Sequence, residues 1–181
     1  MKKFLVLAWL GCLSLAAAAK GGAAASPRGL APDASPLSSV ATVTFPPVDI
    51  AALMAQDGLV GGPGVPMRVG DAREVFITPE THGTWESLAD GSSLWRVQLH
   101  MPAALWMNAT FTYFEIPQGG EIRFYNPQGT WVEGPYTYED NKAHRVLGLP
   151  LVNGDRTVIE VVLPAGLATR PRLEIGEVVG G

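Results

Sequence analysis

Residues 93–125 read SLWRVQLHMPAALWMNATFTYFEIPQGGEIRFY, and their side chains alternate between apolar and polar over long runs. In the first run Trp95 and Val97 alternate with Arg96 and Gln98. Because successive side chains of a strand point to opposite faces, this pattern predicts a strand with one buried face and one solvent-facing face.

The segments that follow continue the β pattern. The next strand is expected to point inward with Leu105, Met107, Ala109, Phe111 and Tyr113. At Phe114 and Ile116 the apolar parity changes, which indicates a β-bulge or a second buried face. Residues 158–163 predict a strand that is largely buried, and Gly- and Pro-containing turns separate the segments. Short strands at this spacing favour an all-β fold, an antiparallel β-sandwich of jelly-roll type.

The first 19 residues are typical of a signal peptide. Lys2 and Lys3 precede an apolar run, and small residues up to Ala19 predict cleavage after that position. The apolar run is shorter than the roughly 20 residues that span a bilayer, so no membrane association is expected after cleavage. Cys12, the one cysteine, lies in this leader. We therefore expect a secreted or periplasmic protein without disulfides.

The remaining chain divides into three parts. Residues 20–47 are rich in Ala, Ser, Gly and Pro, and predict a flexible, disordered arm. Residues 48–66 predict a short N-terminal helix, capped by Asp49 and closed by Gly58, and a connector. Residues 67–181 are expected to form the sandwich.

Composition and motifs argue against several classes of function. The net charge of −4 disfavours a nucleic-acid partner. Three scattered histidines remain after the leader, and Ser92-Ser93 lacks a nucleophile-elbow pattern. We predict a chain that is not an enzyme and that needs no cofactor.

One acidic cluster is a weak metal candidate. Glu139 and Asp140 lie close to His144, which groups carboxylates with an imidazole. Calcium prefers more oxygen ligands, and zinc prefers more His or Cys. The favoured interpretation is therefore an acidic turn that caps a short segment.

A group of aromatic residues suggests a possible ligand surface. Exposed rings around turns can stack on a sugar, although such rings often plug the end of a sandwich instead. The candidates for polysaccharide binding are Tyr125, Trp131, Tyr136 and Tyr138.

A series of short motifs, in order, extends from residue 48 to residue 178. They are DIAAL (49–53), PMRVG (66–70), REV (73–75), GTW (83–85), LWRV (94–97), FEIP (114–117), GEI (120–122), YNPQG (125–129), GPYT (134–137) and DNKAH (140–144). In order and spacing this region resembles the N-terminal, non-catalytic prosequence region of secreted bacterial trypsin-like serine proteases of the lysyl endopeptidase group.

The resemblance implies an accessory role. In such proteins this region precedes the protease domain, so no catalytic residue of the family has a counterpart here. The implied partner is a trypsin-like protease domain, in cis or in trans, which the domain would help to fold or would mask sterically. Arg170 and Arg172 are candidate processing sites for a basic-specific protease. A stand-alone carbohydrate- or surface-binding module is the alternative.

Overall fold

The computed structural model describes residues 26–60, 68 and 70–181. The strands are β1 (Thr42–Thr44), β2 (Asp71–Ile77), β3 (Thr84–Ser87), β4 (Ser93–His100), β5 (Trp106–Glu115), β6 (Glu121–Tyr125), β7 (Val132–Tyr136), β8 (Leu147–Gly148), β9 (Val152–Asn153), β10 (Arg156–Leu163) and β11 (Arg172–Gly180). The helical elements of these residues are α1 (Ile50–Val60) and short 3-10 helices at Arg28–Leu30, Leu37–Ser39 and Tyr138–Asp140. The predicted signal peptide, with Ala19, lies outside the described residues.

The strands form two sheets. Sheet A has the order β1-β4-β10-β6-β7, with β3 also beside β4, and sheet B has the order β2-β11-β5-β8, with β9 also beside β5. All pairings are antiparallel except that of β1 with β4, which is parallel. The prediction of an all-β sandwich is confirmed, whereas the jelly-roll topology stays a prediction.

The core lies between the sheets. The alternation predicted for β4 is confirmed on its inner side, where Trp95, Val97 and Leu99 are buried. In the middle of the core the ring of Phe111 on β5 lies 5.5 Å from Phe114 and 6.0 Å from Phe124 on β6. Because β5 and β6 belong to different sheets, these rings join the two layers.

A bulge changes the parity of β5. Phe111 pairs with Ile175 and Tyr113 pairs with Glu174, so Thr112 is an extra residue between two paired positions. The shift turns Phe114 inward, where it is 1% exposed. The predicted bulge is therefore confirmed. Leu105 was expected to point inward and does not, since it lies before β5 begins and is 73% exposed.

Helix α1 begins as predicted and ends later than predicted. The carboxylate of Asp49 accepts the N–H of Ala52 at 2.9 Å, which is the expected cap. The helix continues through Gly58 to Val60, so the prediction that Gly58 closes it is wrong. At 11 residues α1 is short, and none of the described helices is long and apolar enough to cross a membrane.

The prediction of a flexible arm for residues 20–47 is wrong for residues 26–47, which pack against sheet A. Two 3-10 helices and β1 lie in this part of the chain, and Phe45 reaches the core. We call residues 27–44 the strap. Its composition predicts disorder because it contains few large apolar residues, but its backbone finds polar partners on the sheet.

Candidate functional site

The outer face of sheet A carries charged and polar side chains on three adjacent strands. Glu160 on β10 pairs in register with Arg96 on β4 and with Arg123 on β6. The neighbouring row contains Gln98 and Tyr125. The sequence predicts that Arg96 and Gln98 face solvent, yet all five residues are less than 10% exposed. The strap lies against four of them, Arg96, Gln98, Tyr125 and Glu160.

Glu160 is the centre of this face. Its carboxylate accepts the backbone N–H groups of Arg28 at 2.8 Å and Gly29 at 2.7 Å, and the hydroxyl of Tyr125 at 3.0 Å. A buried carboxylate is costly unless it is hydrogen-bonded and near positive charge. Three donors and two arginines in register supply both conditions, so a glutamate at 0% exposure is stabilised here.

Arg96 binds the same part of the strap through backbone carbonyl groups. Its guanidinium donates to the carbonyls of Gly29 at 2.8 Å and Ser35 at 2.7 Å, and it forms an ion pair with Glu86. Charge-assisted hydrogen bonds of this kind are about twice as strong as neutral ones. One strap residue, Gly29, is therefore bound through both its N–H and its carbonyl.

Gln98 holds the second half of the strap. Its side-chain amide donates to the carbonyls of Leu37 at 2.9 Å and Val40 at 3.2 Å. Beyond that point β1 pairs in parallel with β4, from Thr42 beside Gln98 to Thr44 beside His100. The sheet thus contacts the strap mainly through the strap's backbone.

The close approach explains why residue 29 is glycine. A Cβ at this position would lie 2.6 Å from Arg96 Cδ, 2.6 Å from Glu160 Oε2 and 2.9 Å from the Tyr125 hydroxyl. Since those side chains are packed on all sides, a larger residue would push the strap away from the sheet.

Two of the groups near the strap with a shifted pKa are Tyr125 and Glu86. Burial, together with the nearby Glu160, raises the pKa of Tyr125, so this phenol stays protonated. Burial alone would raise the pKa of Glu86. Hydrogen bonds from Ser35 and the charge of Arg96 outweigh that effect and place the pKa of Glu86 below 4.5, its ordinary value.

We expect acid to loosen the strap. A carboxyl whose pKa is lowered on folding stabilises the folded state above its ordinary pKa, and that stabilisation is lost as pH falls through the lower, folded value. For Glu86 the loss begins below 4.5. The N–H of Ser35 donates to Glu86 at 2.9 Å, so its amide NMR shift should titrate with a midpoint below 4.5. The variant E86Q should lack this transition, and a midpoint at or above the ordinary value would contradict the account.

The four aromatic candidates do not form one exposed platform. Tyr125 is 0% exposed, so the prediction that its ring stacks on a sugar is wrong. Tyr136 is half-buried, and its ring lies 5.5 Å from that of Phe124. Trp131 and Tyr138 are the two members with large exposed surfaces, at 39% and 53%.

The acidic cluster caps a 3-10 helix. Asp140 accepts the backbone N–H of Thr137 at 2.8 Å, and the two residues form a capping box around Tyr138–Asp140. His144 instead accepts the N–H of Val146. Among the described residues no group of three metal-ligating side chains, Glu139 included, is placed to hold an ion. Asp140 therefore has the capping role that the sequence favours.

The two candidate processing sites differ in accessibility. Arg170 lies in an exposed irregular segment before β11, with its guanidinium 4.1 Å from the ring centre of Trp85. Arg172 is the first residue of β11 and pairs with Glu115. Proteases prefer exposed loops to paired strands, but the bond after Arg170 leads to Pro171, which a trypsin-like protease cleaves poorly, so neither site is favoured over the other.

The three described histidines lie apart and bind different groups. His82 contacts Thr81, His100 contacts Asp155, and His144 accepts the N–H of Val146. None of these hydrogen-bond partners is a serine.

Sequence reasoning missed the polar face as a site. A signal for it was present, because Glu160 interrupts the stretch from Val158 to Leu163, which is otherwise apolar. A glutamate in such a strand requires partners, but the sequence does not identify them as backbone groups more than 100 residues away.

A comparison with protein families places most of the chain in a known family. The family model described as "Lysyl endopeptidase N-terminal domain" matches residues 44–178. The match begins at the last residue of β1 and ends within β11, so it spans both sheets. Nearly all of the strap lies before it.

Proposed function

The chain belongs to the family of lysyl endopeptidase N-terminal domains, and from this premise we propose that it is an exported, non-catalytic pro-domain of a trypsin-like serine protease. It acts on a lysyl endopeptidase-like protease domain, in cis or in trans, by assisting its folding or by masking its cleft. The observation that carries the proposal is the family match across both sheets.

The architecture supports a role that depends on a stable surface. A pro-domain acts by binding one state of its protease more tightly than others, and binding shifts the folding equilibrium by mass action. Rigid partners lose less conformational entropy on association. The closely packed core around Phe111 supplies such rigidity, and the polar face under the strap supplies structural contacts.

Helix α1 is our candidate for the surface that contacts the protease. Ile50 is 48% exposed and Met54 is 69% exposed, one helical turn apart on the same side. Neighbouring exposed apolar side chains of this kind often mark a protein–protein contact. Because the family match includes α1, the protease domain is the occupant that we assign to this surface.

We expect M54E to weaken association with the protease domain about tenfold, since a charged group would replace an apolar contact worth about 1.4 kcal/mol. Glutamate is a good helix former, so stability should change by less than about 0.5 kcal/mol. The matched control is L105E, which alters a similarly exposed apolar residue outside α1. Equal losses in both variants, or no loss in M54E, would reject α1 as the contact.

Two assays separate folding assistance from masking. In the first, a denatured lysyl endopeptidase-type protease domain is refolded with and without the chain, and the active fraction is measured. In the second, the chain is titrated into the folded protease during hydrolysis of a small lysyl substrate. Assistance predicts a higher refolding yield, and masking predicts inhibition. A chain that changes neither quantity would reject the proposal.

A further inference from the structure

The strap is bound to sheet A by its backbone far more than by its side chains. Glu160 accepts hydrogen bonds from two consecutive backbone N–H groups of the strap. Arg96 and Gln98 together donate hydrogen bonds to four of its backbone carbonyl oxygens. Among the strap's own side chains, only those of Pro27 and Val40 are buried, and Gly29 has none. Recognition of this kind depends on the backbone conformation of the bound segment and on one glycine. The side chains at its other positions contribute little.

The face beneath the strap contains both polar and apolar residues. Of the outward residues of β4, Arg96 pairs in register with Glu160 of β10, and Gln98 pairs with the buried Val158. Charged and amide groups are hydrated when a covering segment leaves, so the strap can detach at a lower cost than unfolding of the core. The apolar–polar alternation of β4 is typical of a strand with one solvent-facing side, and the strap now covers that side.

We infer that the outer face of sheet A is a peptide-binding site, which the strap fills in cis and which accepts the same glycine-containing segment in trans once the strap is displaced. The ligand class is a polypeptide that places two successive N–H groups on Glu160 and a carbonyl on Arg96. Its continuation adds a short parallel strand to the edge of β4, as in β-strand addition. The occupant to which we commit is the chain's own residues 27–44.

The first experiment uses a fluorescent peptide of residues 26–44 and the full chain. In the wild-type chain the strap competes at an effective concentration in the millimolar range, so the peptide should bind poorly. In G29V the strap is displaced by the clash with Arg96 and Glu160, and the vacant site should bind the peptide about 100-fold more tightly. A peptide that itself carries G29V is the matched control and should not bind either chain.

The result that would overturn the inference is a folded G29V chain, with a wild-type circular dichroism spectrum, that does not bind the wild-type peptide. Equal binding of the wild-type and G29V peptides would also overturn it, because the glycine contact would then have no role.

A second experiment keeps the inference testable if G29V does not fold. A specific protease site is inserted between the exposed residues Pro46 and Pro47 of the otherwise wild-type chain. After cleavage the N-terminal fragment should remain bound in size-exclusion chromatography and should exchange with the fluorescent peptide. A fragment that leaves without being replaced, or that never exchanges, would overturn the inference.

Discussion

Replacement of Glu160 by glutamine is expected to raise the hydrogen-exchange rates of the Arg28 and Gly29 amides by about 100-fold. The two amides donate to different oxygens of the Glu160 carboxylate, and glutamine has only one acceptor oxygen, so its NH2 group would face one of the two N–H groups. Breaking one partner of a buried charge network costs about 3 kcal/mol, which corresponds to a factor of about 100.

The amides of β10 itself should keep their protection in E160Q, because they pair with β4 and β6 through the backbone. The control variant is E177Q, on β11 of the other sheet, which should leave the strap amides unchanged. If strap and β10 amides lost protection together in E160Q, the strap would be an inseparable part of the core. If neither changed, Glu160 would not hold the strap.

The second large effect concerns the core. Phe111→Ala is expected to lower the free energy of unfolding by about 3–5 kcal/mol, since it removes a fully buried ring and leaves a cavity between Phe114 and Phe124. The melting temperature should fall by roughly 10 °C for a chain of this size. Chemical denaturation measured by Trp fluorescence gives the free energy directly.

The matched control for Phe111→Ala is Phe76→Ala on β2. Phe76 is 61% exposed, so its loss should cost less than about 1 kcal/mol. Similar losses in the two variants would contradict the arrangement in which Phe111 joins the sheets.

The sheets could be predicted from the sequence because their signal is local. Trp95 and Val97 alternate with polar residues, and the parity change near Phe114 marks the bulge. Leu105 shows the limit of this reasoning. It fits the alternation of β5, but the strand begins only at Trp106, so its side chain lies in solvent.

The strap could not be predicted because its stabilising contacts leave no pattern in its own sequence. Its residues are mostly small, polar or proline, which is also the composition of disordered chains. What orders it is the set of donors and acceptors on β4 and β10, and Gly29 is indistinguishable in sequence from any flexible glycine. For the same reason the sequence predicts that the polar side of β4 faces solvent.

The aromatic residues illustrate a related difficulty. Tyr125 and Trp131 are close in sequence, yet one is buried against Glu160 and the other is partly exposed. Tyr125 is the last residue of β6, on the side that the strap covers. Only the position of the strap decides its environment, so sequence could not separate a ligand-stacking ring from a structural one.

The most direct test of the pro-domain function is a calorimetric titration of the chain with a catalytically inactivated protease domain of the lysyl endopeptidase type. The account predicts a one-to-one complex with a nanomolar dissociation constant, about −12 kcal/mol, and a weaker complex for M54E. At protein concentrations of about 10 µM even a complex with a Kd of about 10 µM would give a measurable signal. An absence of binding under these conditions would therefore contradict the account.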